Sequence, residues 1–249
     1  MNGVLEITAA GLTLEDVVDV ARGERKVTIS PDLLAKFDAT RAYIAEHWMH
    51  DRAPLIYSLN TGVGSFKDRR VDVSDIEQYQ HNLILSHATG LGEAFAADVV
   101  RATLLLRLNA FAADVSGISA QLAQRFVEFL NAGLTPVVPC KGSVGASGDL
   151  APLAHLCGAL CGFAEAEIDY RGRRLAAAEA IKQAGLEIKP TLGAKDASAM
   201  LNGSTVSLAL AVLAVADAEN VVRHADLGLA MSLEAMRGEK DAFDPALHA

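Results

Sequence analysis

Apolar and polar residues alternate with the helical period through most of this chain, and punctuating residues fall where helices should begin and end. Thr13 is placed to cap "LEDVVDVARG", with Asp16 in the first turn and Gly23 as the stop. Ser30 and Pro31 open a longer helix through "DLLAKFDATRAYIAEHWM", serine at the cap and proline at the first helical position. A third helix is predicted from Asp72 to His87, ending near Gly90. "EAFAADVVRATLLLRLNAFAADVSG" carries apolar residues on more than one face, as a helix inside a bundle does. "ISAQLAQRFVEFLNAG" follows and stops at Asn131-Ala132-Gly133. From Lys195 to Arg237 the pattern is helical again, broken only at "LNGS".

Few segments depart from it. "EIDYRGRRL", Glu167 to Leu175, alternates around Arg171-Gly172 and predicts a small β-hairpin. Pro54 to Arg70 and Thr135 to Gly148 hold the glycines and prolines of loops. The expectation is an all-α fold, mainly a helical bundle with a minor hairpin. It divides into an N-terminal part, residues 1–190, and the start of a long helical bundle, 191–249. The most apolar run, "VSLALAVLAVADAENVV" from Val206, is interrupted by Asp217 and Glu219, which predicts a helix buried in protein rather than in lipid.

Composition narrows the partners. A net charge of −9 over 249 residues, with scattered basic residues, argues against nucleic acid or an acidic membrane. The start "MNGVLEITAAGL" has neither a basic segment nor a long apolar core, so no secretion signal is read there and a cytoplasmic location is expected. Three cysteines cannot all pair, and no His or Cys spacing suits zinc; buried, reduced thiols and no metal are expected.

One stretch carries chemistry: "CKGSVGASGDLAPLAHL", Cys140 to Leu156. Glycines before a helix suggest phosphate binding, but here Asp149-Leu150 follows the last glycine where a P-loop needs Lys and Ser/Thr. Gly142, Gly145 and Gly148 do not have dinucleotide-binding spacing either. A tight turn capped by Asp149, with Pro152 in the first helical turn, explains the glycines but not the order Ala-Ser-Gly. That order has its own chemistry. The Gly148 nitrogen can attack the Ala146 carbonyl and close a five-membered ring, because glycine has no side chain to block the approach. Loss of water from the ring and from Ser147 then leaves an electrophile made from the chain alone.

"GSVGASGDLAPLAHL" resembles the signature of the aromatic amino acid ammonia-lyases, and within that family it is most similar to the histidine-specific members. The resemblance implies a 4-methylidene-imidazol-5-one group formed from Ala146, Ser147 and Gly148, with no external cofactor. "YSLNTGVGSF" resembles the family's tyrosine loop, which implies Tyr57 as the catalytic base and Gly64 in the substrate site. "LILSHATGLGE" resembles its selectivity segment, where Ser86-His87 is the pair typical of histidine-specific members. "AMLNGSTVSLALAV" resembles the segment whose asparagine, here Asn202, holds the prosthetic group and the substrate amine. The reaction implied is elimination of ammonia from an aromatic L-amino acid, L-histidine to urocanate. The alternatives are a phenylalanine or tyrosine ammonia-lyase or an aminomutase.

Departures accompany the likeness. Ser58-Leu59 stands where the family usually has Gly-Val, and Val63 where it usually has an aromatic residue. "LGAKDASAMLNG" replaces the usual acidic-glycine-leucine version. Family members run to about twice this length, so a fragment, one chain of a split enzyme or a non-catalytic protein are all expectations. A homotetramer, or pairing with a complementary C-terminal half, is implied. The absent half normally supplies an arginine for the substrate carboxylate, a tyrosine and a glutamate. An apolar surface along Lys195 to Arg237 would stay exposed unless something covers it.

Overall fold

Thr13 accepts the Asp16 backbone N–H on its hydroxyl while the Asp16 carboxylate accepts from the Thr13 backbone, both at 3.1 Å. This reciprocal box starts α1 (Leu14–Ala21). The computed structural model describes residues 3–23, 25–187 and 190–248. α1 is the crossover between two three-residue parallel strands, β1 (Leu5–Ile7) and β2 (Val27–Ile29), paired Leu5 to Val27 and Ile7 to Ile29. α2 (Pro31–Trp48) starts as expected, the Ser30 hydroxyl accepting from Leu33 N–H and Pro31 filling the first position. α3 (Ile76–His87) follows a 3-10 turn at Val73–Asp75, so its α-helical hydrogen bonding begins later than Asp72.

The rest of the order is β3 (Leu91–Ala94), α4 (Ala97–Phe111), α5 (Ala120–Ala132), β4 (Thr135–Pro136), β5 (Pro139–Lys141) and α6 (Leu150–Leu160). Then come β6 (Glu167–Tyr170), β7 (Arg173–Ala176), α7 (Ala177–Gln183), α8 (Asp196–Leu201) and α9 (Thr205–Met236). The predicted hairpin is β6–β7, turning at Arg171-Gly172, and β4 adds a third strand to it. The two loop regions are less irregular than read, since β5 pairs antiparallel with β3. The fold is mainly helical, as the periodicity implies.

α4 is the central helix, as its all-round apolarity requires. Leu104, Leu105 and Leu108 are fully buried, and each such side chain contributes about 1.5–3 kcal/mol by leaving water. Its buried Arg101 serves neighbouring elements, donating to the carbonyls of Val20, Ala21 and Leu130. Arg125 of α5 likewise donates to Leu160 O at the end of α6. Both cations lie where helix-end carbonyls concentrate negative charge. Asp196 is fully buried and accepts from Gly193 and Ser119 N–H. Burial still pushes its carboxyl up to about 6, against the opposing pull of Arg41.

α9 leaves exposed the apolar surface expected along Lys195 to Arg237. Its first turns join the core through Val206, Ala209 and Leu213, and the rest leaves it. It is long and apolar enough to cross a membrane by length and composition, with mean hydropathy 1.6 and only 22% of that window buried. Beyond those first turns the described residues leave most of this helix uncovered, and Leu208, Val215, Val222, Leu227 and Met231 are exposed. Asp217, one of the interruptions in the apolar run, meets the Arg22 guanidinium, which also reaches Asp98 at 2.9 Å. The thiols also divide: Cys157 and Cys161 are buried as expected, whereas Cys140 on β5 is exposed.

Candidate active site

Tyr57 stands on a loop built around Asn60, which is 2% exposed. Asn60 accepts from Ile56 N–H at 2.8 Å and donates to the carbonyls of Trp48 (3.2 Å) and Pro54 (3.0 Å). One amide thus closes the turn from three sides, with Ser58 in the left-handed region at φ 58°. The Tyr57 side chain is half exposed, and its phenol oxygen accepts from Gly64 N–H at 3.3 Å. Gly64 sits at φ 58°, a conformation open to glycine that turns its N–H toward the phenol. That donor is aimed at the oxygen that would carry charge in a phenolate.

The Ala146-Ser147-Gly148 loop is pressed against the break between α8 and α9. Gly148 has φ 87°, and a Cβ built there would lie 2.4 Å from the carbonyl carbon and oxygen of Gly203. Only glycine fits. Backbone bridges join Gly148 to Gly203 and, within the loop, to Ala146, while the Ser143 hydroxyl donates to Gly148 O at 3.1 Å. The next residue overturns an expectation. Asp149 does not cap α6 with its side chain; its carboxylate accepts from the Ser207 N–H and hydroxyl, both at 2.9 Å. Asp149 N–H in turn donates to Gly203 O at 2.9 Å. The aspartate therefore caps the first turn of α9, and the N-termini of α6 and α9 meet beside one loop. Their partial positive charges add there.

Tyr57, Gly64, His87, Ser147 and Asn202 come together around one cleft of about 170 Å³, with apolar walls from Val63, Leu83, Leu150 and Leu201. Ala146 and Gly148 flank Ser147 in the chain, and Ser147 itself is exposed. His87 Nδ1 lies 2.8 Å from Leu83 O. A carbonyl only accepts, so Nδ1 carries the proton and Nε2 is left for a ligand. Ser86 is not in the lining: its hydroxyl donates to Leu83 O at 3.0 Å and lies 3.1 Å from His87 Nδ1. Asn202 Nδ2 donates to Ser198 O at 3.1 Å.

Two further residues hold this arrangement, and neither stands out in the sequence. Arg107 of α4 is 7% exposed and donates to Asn202 O and to the Thr205 hydroxyl, pinning the α8–α9 break. Its apolar surroundings lower its pKa by desolvation. His155 of α6 accepts Gly90 N–H on Nε2 at 2.9 Å, tying the segment after His87 to the helix that follows the loop. Burial lowers the His155 pKa below its ordinary value. A histidine held neutral in the fold contributes its full stability above the unfolded pKa of about 6.5, and that contribution is lost as pH falls below it. Melting temperature should therefore fall from pH 7 to pH 5 more steeply in the native chain than in His155→Gln. Parallel slopes in the two would contradict this.

The profile of the family described as aromatic amino acid lyase matches residues 12–249. A histidine ammonia-lyase from Gloeobacter violaceus is 46% identical over 98% of this chain and 46% of its own length. The crystal structure of histidine ammonia-lyase from Trypanosoma cruzi superposes with TM-score 0.87 at 31% identity, over 98% of this chain and 47% of that one. Tyrosine aminomutase from Streptomyces globisporus superposes with TM-score 0.87 at 31% identity, over 96% of this chain and 44% of that one. The chain spans about half the length of the curated relatives it matches.

Proposed function

We propose, from the premise that this chain belongs to the aromatic amino acid lyase family, that its protein is a cytoplasmic ammonia-lyase converting L-histidine to urocanate. The observation carrying this reading is the convergence of Ser147, Tyr57 and His87 on one cleft. The prosthetic group proposed is the methylidene-imidazolone of Ala146, Ser147 and Gly148, and it would supply an electrophile for the substrate amine. The residues fit it: the Ala146–Gly148 backbone pairing and the glycine-only contact at Gly203 favour the approach that cyclisation needs.

The chain's own groups have separable tasks. The Tyr57 oxygen, with Gly64 N–H donating to it, would receive the β-proton. His87 Nε2 is the available partner for a polar side chain such as imidazole, and the apolar walls exclude water around the rest. Asn202 supplies an amide beside the loop, and the two helix N-termini favour negative charge there. The exposed face of α9 suits burial against further copies or a complementary C-terminal half, in a homotetramer of the kind the resemblance implies.

Histidine, phenylalanine and tyrosine, each offered in turn with ammonia release and near-ultraviolet product absorbance followed, test the reading. Histidine should be the substrate, and Tyr57→Phe should lower turnover by about 10²–10⁴-fold, the scale of a lost general base. Product in which the nitrogen has moved from the α- to the β-carbon would instead make the protein an aminomutase, a reading that the likeness to tyrosine aminomutase keeps in view. No product from any of the three, with the complementary half also supplied, would sink both.

A further inference from the structure

α8 is six residues long, and its own N-terminal residues do not cap it. Lys195, at its N-cap, is in the left-handed region at φ 72°, and its side chain makes no capping bond. The Asp196 carboxylate is turned back to the N–H groups of Ser119 and Gly193. A helix this short does not persist by propensity, so whatever satisfies its first N–H groups decides whether it holds. The Ala197 N–H, in the first turn, donates to Gln80 Oε1 at 2.8 Å. Gln80 belongs to α3 and is fully buried. A second helix thus supplies the cap of α8, from 117 residues away in the chain.

Where that bond lies gives it a consequence. Gln80 precedes His87 by two helical turns, about 10 Å along one face of α3. Ala197 is in the first turn of α8, and Asn202 follows its last residue. The two helices pack side by side. At one end of the pair Leu83, His87, Leu201 and Asn202 line the cleft, and at the other Gln80 meets Ala197. Gln80 itself is not in the lining. Its Nε2 has no partner among the described residues, so Oε1 is the atom through which this side chain acts. Arg107 holds α8 at its far end, on Asn202 O; Gln80 fixes where α8 stands along α3.

We propose that Gln80 is a positioning residue: by capping α8 from α3, it sets the Asn202 amide in register with His87 across the cleft. The part that amide plays in turnover rests on the reaction proposed above; the cap does not.

Hydrogen exchange on the full chain, read by mass spectrometry, tests the cap. Gln80→Met keeps the length of the side chain and removes the acceptor. Exchange across 196–202 should quicken by about tenfold or more in this variant, the scale of one lost buried hydrogen bond, while α4 stays within about threefold. Gln78→Met, the same change at an exposed position of the same helix, should alter neither. Turnover of histidine, with the complementary half supplied, tests the positioning. Gln80→Met should lower kcat by about tenfold or more and leave KM within about threefold, because His87 keeps its place on α3. In Asn202→Ala the same substitution should cost less than about twofold, since the group it places is already gone. An equal cost in both backgrounds would make the glutamine merely structural and overturn the positioning. Unchanged exchange across 196–202, or an equal rise in α4, would overturn the cap. Should Gln80→Met not fold, Gln80→Asn, which withdraws the amide by one methylene, is read in the same way. Where the native chain turns over nothing, the exchange result alone decides, so failure of the reaction and failure of the positioning are told apart.

Discussion

Ser147→Ala is expected to fold normally and to lose turnover by about three orders of magnitude or more, the scale on which one member of a catalytic unit acts. The hydroxyl is lost from an exposed position that lines the cleft. Stability should thus stay within about 0.5 kcal/mol of the native chain, as for most surface substitutions. Mass separates the chemistry from a mere binding role. The native chain should weigh less than its sequence by two waters and absorb in the near ultraviolet, and the variant should do neither. Turnover in the variant at near-native rate would end the proposal that this loop makes the electrophile.

Gly148→Ala should fail for a different reason and more broadly. Its Cβ would lie 2.4 Å from two backbone atoms of Gly203, and neither is the end of a flexible side chain. The left-handed φ of 87° adds strain of its own. Overpacking and backbone strain each cost about 1–3 kcal/mol, so a combined loss of about 2–6 kcal/mol is expected in denaturant unfolding. Gly145→Ala is the control: its φ is 80°, but nothing lies within 4 Å of the added Cβ, so only the strain should register. Equal stability of the two variants would show that the contact with Gly203 does not hold the loop.

The contrast between these glycines indicates what a single chain can disclose. Local signals read well: the Thr13–Asp16 box, the Ser30-Pro31 start, Gly133 as a left-handed stop and the Arg171-Gly172 turn all act within a few residues of themselves. The candidate site residues come from a long motif, and Tyr57, Gly64, His87, Ser147 and Asn202 line one cleft. What stayed hidden depends on partners distant in sequence. β1 and β2 are three residues each, too short for a period, and exist because α1 returns the chain to pair them. Asp149 looks like a cap for the helix it precedes, and only the fold reveals Ser207 as its partner. Arg107 reads as one polar residue in an apolar helix until the carbonyl of Asn202 is set beside it.

The seat of Gly148 on Gly203 also imposes an order in time. The two glycines are 55 residues apart in the chain, and the Asp149–Ser207 bonds that hold them lie across the same gap. A loop still detached from α9 lacks the wall that bends it, so on the proposed chemistry ring closure waits for docking of that helix. Colour would then be a clock started by tertiary assembly, its lag recording how long α4, α6 and α9 take to find one another.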